Sequence, residues 1–258
     1  MVYKKKQYKT INNYLEVFNR DFLKKKFKQI DKYDFNRALY RDAMIKDYIF
    51  FKKNINKKLK NILDIGVGIG ISSYILRCMK FNVSACDIIS KKFNMNQKFN
   101  QNEIYKSKFF NKITFRYIRN SILPFKKKFD IIFLYAVIEH VDKKNHKKFI
   151  LEIERLTNKN SEIYIFMCPR KFSYVEHLSR MILGKKFAHE NLYNLKDLKK
   201  IFGKKFKIVN YESSIALPSM LIHHQSRYAK IYILINYILE KTLFKPLLHH
   251  NRYKIIRN

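Results

Sequence analysis

From Asn61 onward, short apolar runs alternate with segments whose apolar residues recur about every 3.6 positions. The runs have the length of β-strands, and such alternation favours a parallel sheet with helices on both faces. The sequence therefore predicts an α/β fold with a doubly wound, mostly parallel seven-stranded sheet. Strands are expected at residues 62–65, 81–86, 113–118, 129–135, 162–168 and 206–211, a final edge strand at 252–258, and helices at 69–79, 90–99, 145–157 and 195–202.

The first 58 residues contain no glycine or proline, and they predict an N-terminal helical cap. One helix is expected to begin after Thr10 as its N-cap, because apolar residues follow at helical spacing. A second helix is expected over residues 35–51, although Asp42 interrupts its apolar side. The predicted domains are therefore the cap at 1–58 and the α/β domain at 59–258.

A helical insertion is predicted at about residues 212–250, before the last strand. Its apolar residues follow the spacing of an amphipathic helix, and Pro246 is expected to end it. The favoured interpretation is a helix packed between two strands. The alternative is a surface that touches a lipid or closes over a substrate, because lysines adjoin the apolar residues. The apolar residues are Ile231, Leu234, Ile235, Ile238 and Leu239, and the lysines are Lys230, Lys241 and Lys245.

The chain of 258 residues carries a formal net charge of +35. A positive field attracts nucleic-acid phosphates, but the lysines are spread along the chain instead of forming one tail. The chain is also rich in Lys, Asn, Ile, Phe and Tyr, whose codons are AT-rich, and such a bias raises the lysine content without selection for a ligand. A solvated basic surface is therefore favoured over a dedicated nucleic-acid role. The apolar fraction of 47% excludes a disordered chain.

The three cysteines, Cys78, Cys86 and Cys168, are odd in number and lack the spacing of a metal site. They predict reduced thiols and a cytoplasmic location. The apolar stretch of the insertion is about half the roughly 20 residues that a membrane-spanning helix needs. No transmembrane segment is predicted.

Three of the five glycines, Gly66, Gly68 and Gly70, lie between the first strand and the following helix. Glycine permits a sharp turn and the close approach of a ligand, and a helix N-terminus presents free amides. In parallel α/β sheets, ligands bind outside the carboxyl ends of the strands. The spacing differs from the dinucleotide fingerprint, in which the last glycine comes three residues after the second.

The Asp-x-Gly-x-Gly-x-Gly segment that begins at Asp64 resembles motif I of the class I S-adenosylmethionine-dependent methyltransferases, whose fold is Rossmann-like. The resemblance implies S-adenosyl-L-methionine as the cofactor. It places Gly66, Gly68 and Gly70 beside the methionyl and ribose part, with Asp64 helping to hold the ammonium group.

Asp87 ends the second strand, where a carboxylate can accept hydrogen bonds from both ribose hydroxyls. The resemblance implies this role for Asp87, with Ile88 beside it. The LPF segment at 123–125 is similar to a segment of small-molecule methyltransferases that follows residues bordering the adenine. Here those residues include Asn120 and Ser121, without the acidic residue often found in the family.

Tyr135, at the end of the fourth strand, and Arg41 complete the candidate cofactor residues. Arg41 lies about one helix upstream of the glycine turn, where an arginine binds the cofactor carboxylate in ubiquinone-type O-methyltransferases. A solvated helix face is the favoured interpretation of Arg41, and the cofactor role is the alternative.

The sequence Ile-Glu-His-Val at 138–141 is similar to a motif of methyltransferases of the ubiquinone-biosynthesis type. His140 is the first candidate for a general base, because a histidine can remove a hydroxyl proton near neutral pH. Glu139 is expected to contact the acceptor or to fix His140. No metal is predicted, because Ala136 stands where the resembled enzymes have an acidic ligand. His177 and His189 are second candidates in the acceptor-binding region.

The favoured function is methyl transfer to a small-molecule or lipid- or glycan-linked acceptor, at oxygen. An RNA or other nucleic-acid methyltransferase is one alternative, but the loop after the fourth strand lacks the Asn/Asp-Pro-Pro-aromatic sequence of the amino-group enzymes. Another is a non-catalytic protein that binds the cofactor or a membrane surface. Peripheral membrane contact remains open on this sequence.

Overall fold

A seven-stranded sheet forms the centre of the computed structural model, which describes residues 2–23, 36–88, 105–183, 189, 191–218, 221–242 and 248–258. Its strand order is β3-β2-β1-β4-β5-β7-β6. Strands β1 to β5 pair in parallel, and β7 pairs antiparallel with both β5 and β6. The strands are β1 Asn61–Ile65, β2 Asn82–Ile88, β3 Thr114–Ile118, β4 Phe129–Tyr135, β5 Thr157–Pro169, β6 Phe206–Ser214 and β7 His250–Arg257. The predicted α/β fold is confirmed.

Helices precede the sheet and lie between several of its strands, and all but Tyr174–Leu183 lie where the sequence predicts a helix. They are α1 Val2–Val17, a π-helix Phe18–Leu23, α2 Ala38–Asn54, α3 Ile71–Cys78, α4 His146–Arg155, α5 Tyr174–Leu183, α6 Leu195–Phe202 and α7 Ala229–Lys241. The helix predicted at 90–99 lies outside the described residues. None of the helices within the described ranges has both the length and the apolar character needed to cross a membrane.

Two hydrophobic cores lie on opposite faces of the sheet, because successive side chains of a strand point to opposite faces. In β4, Ile131 and Phe133 belong to the core that also contains residues of α1, α2 and α3. Ile132 and Leu134 belong to the second core, with residues of α4 and α6. Burial on both faces explains why the central strands are continuous apolar runs.

The last strand lies inside the sheet, so its prediction as an edge strand is wrong. Strand β7 lies between β5 and β6, and Tyr253 and Ile255 are fully buried. β6, the preceding strand, forms the edge, and it leaves Val209 and Tyr211 exposed. The two strands form an antiparallel pair whose order in the sheet reverses their order in the chain.

Helix α1 begins before the expected N-cap. Thr10 lies inside α1, where its hydroxyl donates to the carbonyl of Lys6 (2.9 Å), so the prediction that it begins the helix is wrong. Asp42 of α2 accepts a hydrogen bond from the Tyr8 hydroxyl (3.1 Å) and pairs with Lys46 (2.7 Å). These partners explain how an acid is accommodated on the buried side of α2. The division of the chain at residue 58 stays a prediction.

Helix α7 has the predicted position, but its polar side faces the protein and its apolar side faces solvent. The side chain of Asn236 is buried and accepts hydrogen bonds from the backbone N–H groups of Ala216 (2.8 Å) and Leu217 (3.1 Å). Glu240 accepts from the N–H of Ile215 (2.8 Å). Polar groups therefore fix the helix, and the apolar residues that were expected to pack inward are exposed: Ile231, Leu234, Ile235 and Ile238.

Candidate active site

The glycine turn connects β1 to α3, and its three glycines have positive φ values of 73°, 50° and 85°. A Cβ on Gly66 would lie 2.6 Å from the Val137 side chain, and one on Gly70 would lie 2.6 Å from the ring of Phe110. Glycine is thus required at both positions by backbone conformation and by packing. The contact with Val137 also brings the loop that follows β4 against the turn.

Gly68 differs from its two neighbours because a Cβ there would meet no atom within 4 Å. Its N–H donates to Asp87 Oδ2 (2.8 Å), and Asp87 Oδ1 accepts from the N–H of Ile88 (2.7 Å). Each carboxylate oxygen has a second lone pair that can accept from a ligand hydroxyl. The structure therefore places Asp87 and Ile88 directly beside the open side of the glycine turn.

Asp64 is buried at the end of β1 and has a polar neighbour on α3. The Ser73 hydroxyl donates to Asp64 Oδ2 (2.6 Å), and the Tyr105 hydroxyl donates to Ser73 Oγ (3.3 Å). Burial raises the pKa of Asp64 to about 7, although the Ser73 hydrogen bond acts in the opposite direction. A nearby cation would find a carboxyl group that ionises near neutral pH.

Asn120 and Ser121 form the exposed turn that follows β3. Both have left-handed backbone conformations, with φ values of 51° and 57°. Lys148 Nζ donates to the carbonyl of Asn120 (2.8 Å), which connects the turn to α4. The adenine contact expected of these two residues stays a prediction.

Tyr135 points its hydroxyl at a buried acid of α2. The hydroxyl donates to Asp47 Oδ2 (3.0 Å), and Asp47 Oδ1 lies 3.1 Å from Arg252 Nε of β7. Burial raises the pKa of Asp47 to about 6, while Arg252 and the Tyr135 hydrogen bond lower it. The hydroxyl therefore already has a protein partner, and the expected cofactor contact of Tyr135 stays a prediction.

Arg41 is buried, so its interpretation as part of a solvated helix face is wrong. Its guanidinium donates to the Asn12 side chain (3.0 Å) and pairs with Glu16 (2.7 Å), which connects α2 to α1. Its Nη1 atom is buried without a hydrogen-bond partner. The expected role in binding the cofactor carboxylate stays a prediction.

Glu139 and His140 lie in a short 3₁₀ turn, Ile138–His140, immediately beyond β4. His140 is exposed, and its ring centroid lies 6.1 Å from that of His189. Glu139 is buried, and neither of its carboxylate oxygens has a hydrogen-bond partner. Burial raises the pKa of Glu139 to about 7. The pair therefore combines an exposed imidazole with an acid that is poorly solvated.

The second histidine candidates lie in different environments. His177 is exposed on α5, and its ring hydrogen-bonds the carbonyl of Lys171 (3.1 Å). His189 lies near Glu139, because Asn191 and Tyr193 fix the adjoining segment. The Asn191 amide donates to the carbonyl of Glu139 (2.9 Å), and the Tyr193 hydroxyl donates to that of Ile138 (3.0 Å).

Sequence reasoning missed Glu176, His249 and His250. Glu176 Oε1 accepts hydrogen bonds from His189 Nδ1 (2.5 Å) and His249 Nε2 (2.7 Å). Burial acts to raise the pKa of Glu176, but the two imidazoles hold it well below its usual range. These residues are far apart in the chain. The feature of the sequence that could have indicated the cluster is the pair of adjacent histidines, His249 and His250.

Residues 63–165 match the model of a family described as a methyltransferase domain. This segment runs from β1 into β5 and contains the glycine turn, Asp87 and the Glu139-His140 pair. No curated protein matches the chain.

Solved structures with the same fold have low sequence identity to this chain. A SAM-dependent methyltransferase from Archaeoglobus fulgidus is 19% identical, with a TM-score of 0.52 over 84% of this chain and 93% of its own. A magnesium protoporphyrin IX methyltransferase from Synechocystis PCC 6803 with bound SAH is 14% identical, with a TM-score of 0.53 over 86% of each chain. A Pyrococcus horikoshii OT3 protein is 13% identical, with a TM-score of 0.57 over 90% of this chain and 98% of its own.

The strand order and the matched domain define the fold of a class I methyltransferase. The methyltransferase domain over residues 63–165 and the shared fold support an enzyme of class I, the class whose cofactor is S-adenosyl-L-methionine.

Proposed function

We propose that the enzyme transfers the methyl group to an oxygen atom of a small-molecule or lipid- or glycan-linked acceptor, with His140 as the general base. The observation that carries the proposal is the packing of Val137 against Gly66, where the added Cβ would lie only 2.6 Å away. This packing sets the Glu139-His140 turn beside the glycine turn. The subgroup to which the sequence is similar, the ubiquinone-type O-methyltransferases, supports the choice of oxygen.

Methyl transfer from a sulfonium is an in-line displacement with a neutral leaving group. The enzyme must hold the acceptor oxygen about 3 Å from the methyl carbon and keep competing water away. A hydroxyl acceptor must also lose its proton, and an imidazole can take it near neutral pH. The exposed His140 ends the turn in which buried Glu139 also lies.

The proposed cofactor contacts use groups at the glycine turn and on other elements. Asp87 accepts hydrogen bonds from the ribose hydroxyls while it keeps its backbone contact with Gly68. Asp64 receives the ammonium group, and Arg41 Nη1 offers a donor to the cofactor carboxylate. Asn120 and Ser121 border the adenine. The roles of these residues belong to the proposal.

Substitution of Asp87 and His140 separates cofactor binding from catalysis. Asp87→Ala removes the ribose acceptor, and we expect at least a tenfold loss of S-adenosylmethionine affinity by calorimetry. His140→Gln removes the base, and we expect cofactor affinity to stay within about twofold while methyl transfer falls by roughly 10²-fold or more. Lys147→Gln, at an exposed position of α4, is the control. Full methyl transfer by His140→Gln would falsify the assignment of the base.

The acceptor is identified by labelling a cell extract with methyl-labelled cofactor and separating lipid, glycan, small-molecule and nucleic-acid fractions. Label on oxygen in one of the first three fractions supports the proposal. Label in nucleic acid, with RNA binding that weakens steeply with salt, would establish the alternative suggested by the +35 charge.

Within this proposal, a lipid-linked acceptor is supported by helix α7. Leu234 and Ile238 are exposed by 57% and 52%, and Lys230 and Lys241 lie at the two ends of the same helix. An exposed apolar face with flanking cations is typical of helices that lie on anionic lipid surfaces. Contact with a membrane surface would bring such an acceptor to the enzyme.

A further inference from the structure

Three side chains from distant parts of the chain meet beside the Glu139-His140 turn. Glu176 belongs to α5, His189 to the segment that precedes α6, and His249 to the residue before β7. One ligand atom of each lies within 4.8 Å of the others. The shortest separations are 2.5 Å from Glu176 Oε1 to His189 Nδ1 and 2.7 Å from the same oxygen to His249 Nε2.

A second observation favours the binding of a cation at this place. The Glu139 carboxylate is buried with neither oxygen hydrogen-bonded, and it interacts electrostatically with both His189 and Glu176. A buried carboxylate without a partner is costly unless a cation neutralises it. Two acidic side chains therefore share one largely buried cluster.

Lysine and arginine side chains of the described ranges do not neutralise the two carboxylates. The ion pairs of Glu176 there are with His189 and His249, and Glu139 has none. Arg180 is the neighbouring arginine of α5, and its guanidinium donates to the backbone carbonyl of His189. The cluster thus has two carboxylates and two imidazoles but no ammonium or guanidinium bound to the carboxylates.

We propose that Glu176, His189 and His249 bind a divalent transition-metal ion of the zinc type, with Glu139 as the charge-balancing carboxylate beside it. Two imidazoles and one carboxylate form a common ligand set for such ions, and it leaves one position open to an oxygen donor. With metal–ligand bonds of about 2.0–2.1 Å, tetrahedral ligand atoms lie about 3.3 Å apart. The present hydrogen bonds would open by less than about 1 Å to admit the ion.

This site differs from the metal site of the ubiquinone-type O-methyltransferases that the sequence resembles. That site needs an acidic residue at position 136, where this chain has alanine. The ligands proposed here are Glu176, His189 and His249. The ion would lie near His140, because the ring centroids of His189 and His140 are 6.1 Å apart. The inference does not depend on the proposed oxygen acceptor, since metal binding is measured without cofactor or acceptor.

The test uses the full chain after dialysis against a chelator. We expect one Zn²⁺ per chain by calorimetry, with a dissociation constant in the micromolar range or tighter, and visible absorption bands of tetrahedral Co²⁺ when cobalt is added. Glu176→Gln and His249→Gln should each weaken Zn²⁺ binding by at least tenfold. His177→Gln replaces the exposed residue next to Glu176 and should bind as the wild type does.

His189→Gln is a third variant, because its side chain is less buried than those of Glu176 and His249 and the chain is expected to fold without it. Circular dichroism and S-adenosylmethionine binding confirm the fold of each variant. Absence of stoichiometric Zn²⁺ binding by the wild type, or undiminished binding by the three ligand variants, overturns the metal site. Metal binding with no methyl transfer to oxygen would contradict only the proposed function.

Discussion

At the scale of single residues, three glycines in one turn have different tasks. Gly66 and Gly70 are required by atoms of the protein itself, since Val137 and Phe110 occupy the space that a Cβ would need. Gly68 has open space, and its N–H donates to Asp87. Two of the glycines thus shape the fold, and the third faces the place where the cofactor is expected.

Alanine substitutions separate these two tasks. In Gly66→Ala, a positive φ of 73° and the contact with Val137 should lower the free energy of unfolding by about 2 kcal/mol or more. In Gly68→Ala, the conformational cost is about 1 kcal/mol, but the methyl group enters the open space, so cofactor affinity should fall at least tenfold. Urea denaturation and calorimetry measure the two effects. If Gly66→Ala and Gly68→Ala lost equal free energy of unfolding and Gly68→Ala still bound the cofactor normally, the two glycines would not differ in role.

At the scale of elements, helix α7 shows that apolar spacing identifies a helix without telling which side is buried. Asn236 and Glu240 cap backbone N–H groups at residues 215–217, and this polar contact faces inward. Unpaired buried N–H groups would each cost about 1–3 kcal/mol, so this contact favours the observed orientation. The apolar residues consequently face solvent.

The exposed face of α7 should bind anionic phospholipid vesicles and not neutral ones. Replacing Leu234 and Ile238 with serine removes apolar surface without touching Asn236, and we expect vesicle flotation to fall severalfold while stability stays within about 0.5 kcal/mol. Met181→Ser, on an exposed part of α5, is the control. Equal flotation of the double variant and the wild type would exclude α7 as the membrane contact.

At the scale of the whole molecule, one buried polar contact joins three elements that are distant in the chain. Asp47 of α2 contacts Tyr135 of β4 and Arg252 of β7. Lys46 and Glu212 also act electrostatically on Asp47. The N-terminal helices are thereby attached to both the middle and the end of the sheet.

The pKa of Asp47 makes stability depend on pH in a defined direction. Folding raises this pKa from 3.8 to about 6, so the folded state holds a proton on Asp47 more tightly than the unfolded state does. The stabilisation of the folded state that results is complete below pH 3.8 and is lost as the pH rises through about 6. Arg252→Leu leaves a buried carboxylate without its cation, and the free energy of unfolding should fall by about 3 kcal/mol or more at pH 8.

The loss in Arg252→Leu should be smaller at pH 5, where Asp47 takes up a proton. Urea denaturation at both pH values measures the difference. The double variant Arg252→Leu/Asp47→Asn removes both charges and should abolish most of the pH dependence. If Arg252→Leu lowered the free energy of unfolding equally at both pH values, the ionisation of Asp47 would not depend on its ion pair with Arg252.

The local parts of the fold could be predicted from sequence because they depend on neighbours in the chain. Strand β4 has the predicted bounds, and α6 does too. Asn160 adopts a left-handed conformation, with φ of 68°, which asparagine tolerates better than most residues. The glycine turn was likewise visible because its spacing is local.

The sequence by itself determined the alternating strands and helices, the glycine turn and the acids that end β1 and β2. Only the tertiary structure decided that β7 lies inside the sheet, that α7 exposes its apolar side, and that Glu176, His189 and His249 meet. The physical reason is the separation along the chain of the residues that interact. Local patterns depend on backbone geometry and side-chain alternation, whereas burial depends on which distant polar groups find partners. His249 contacts Glu176 across more than seventy residues, and no spacing rule covers that distance.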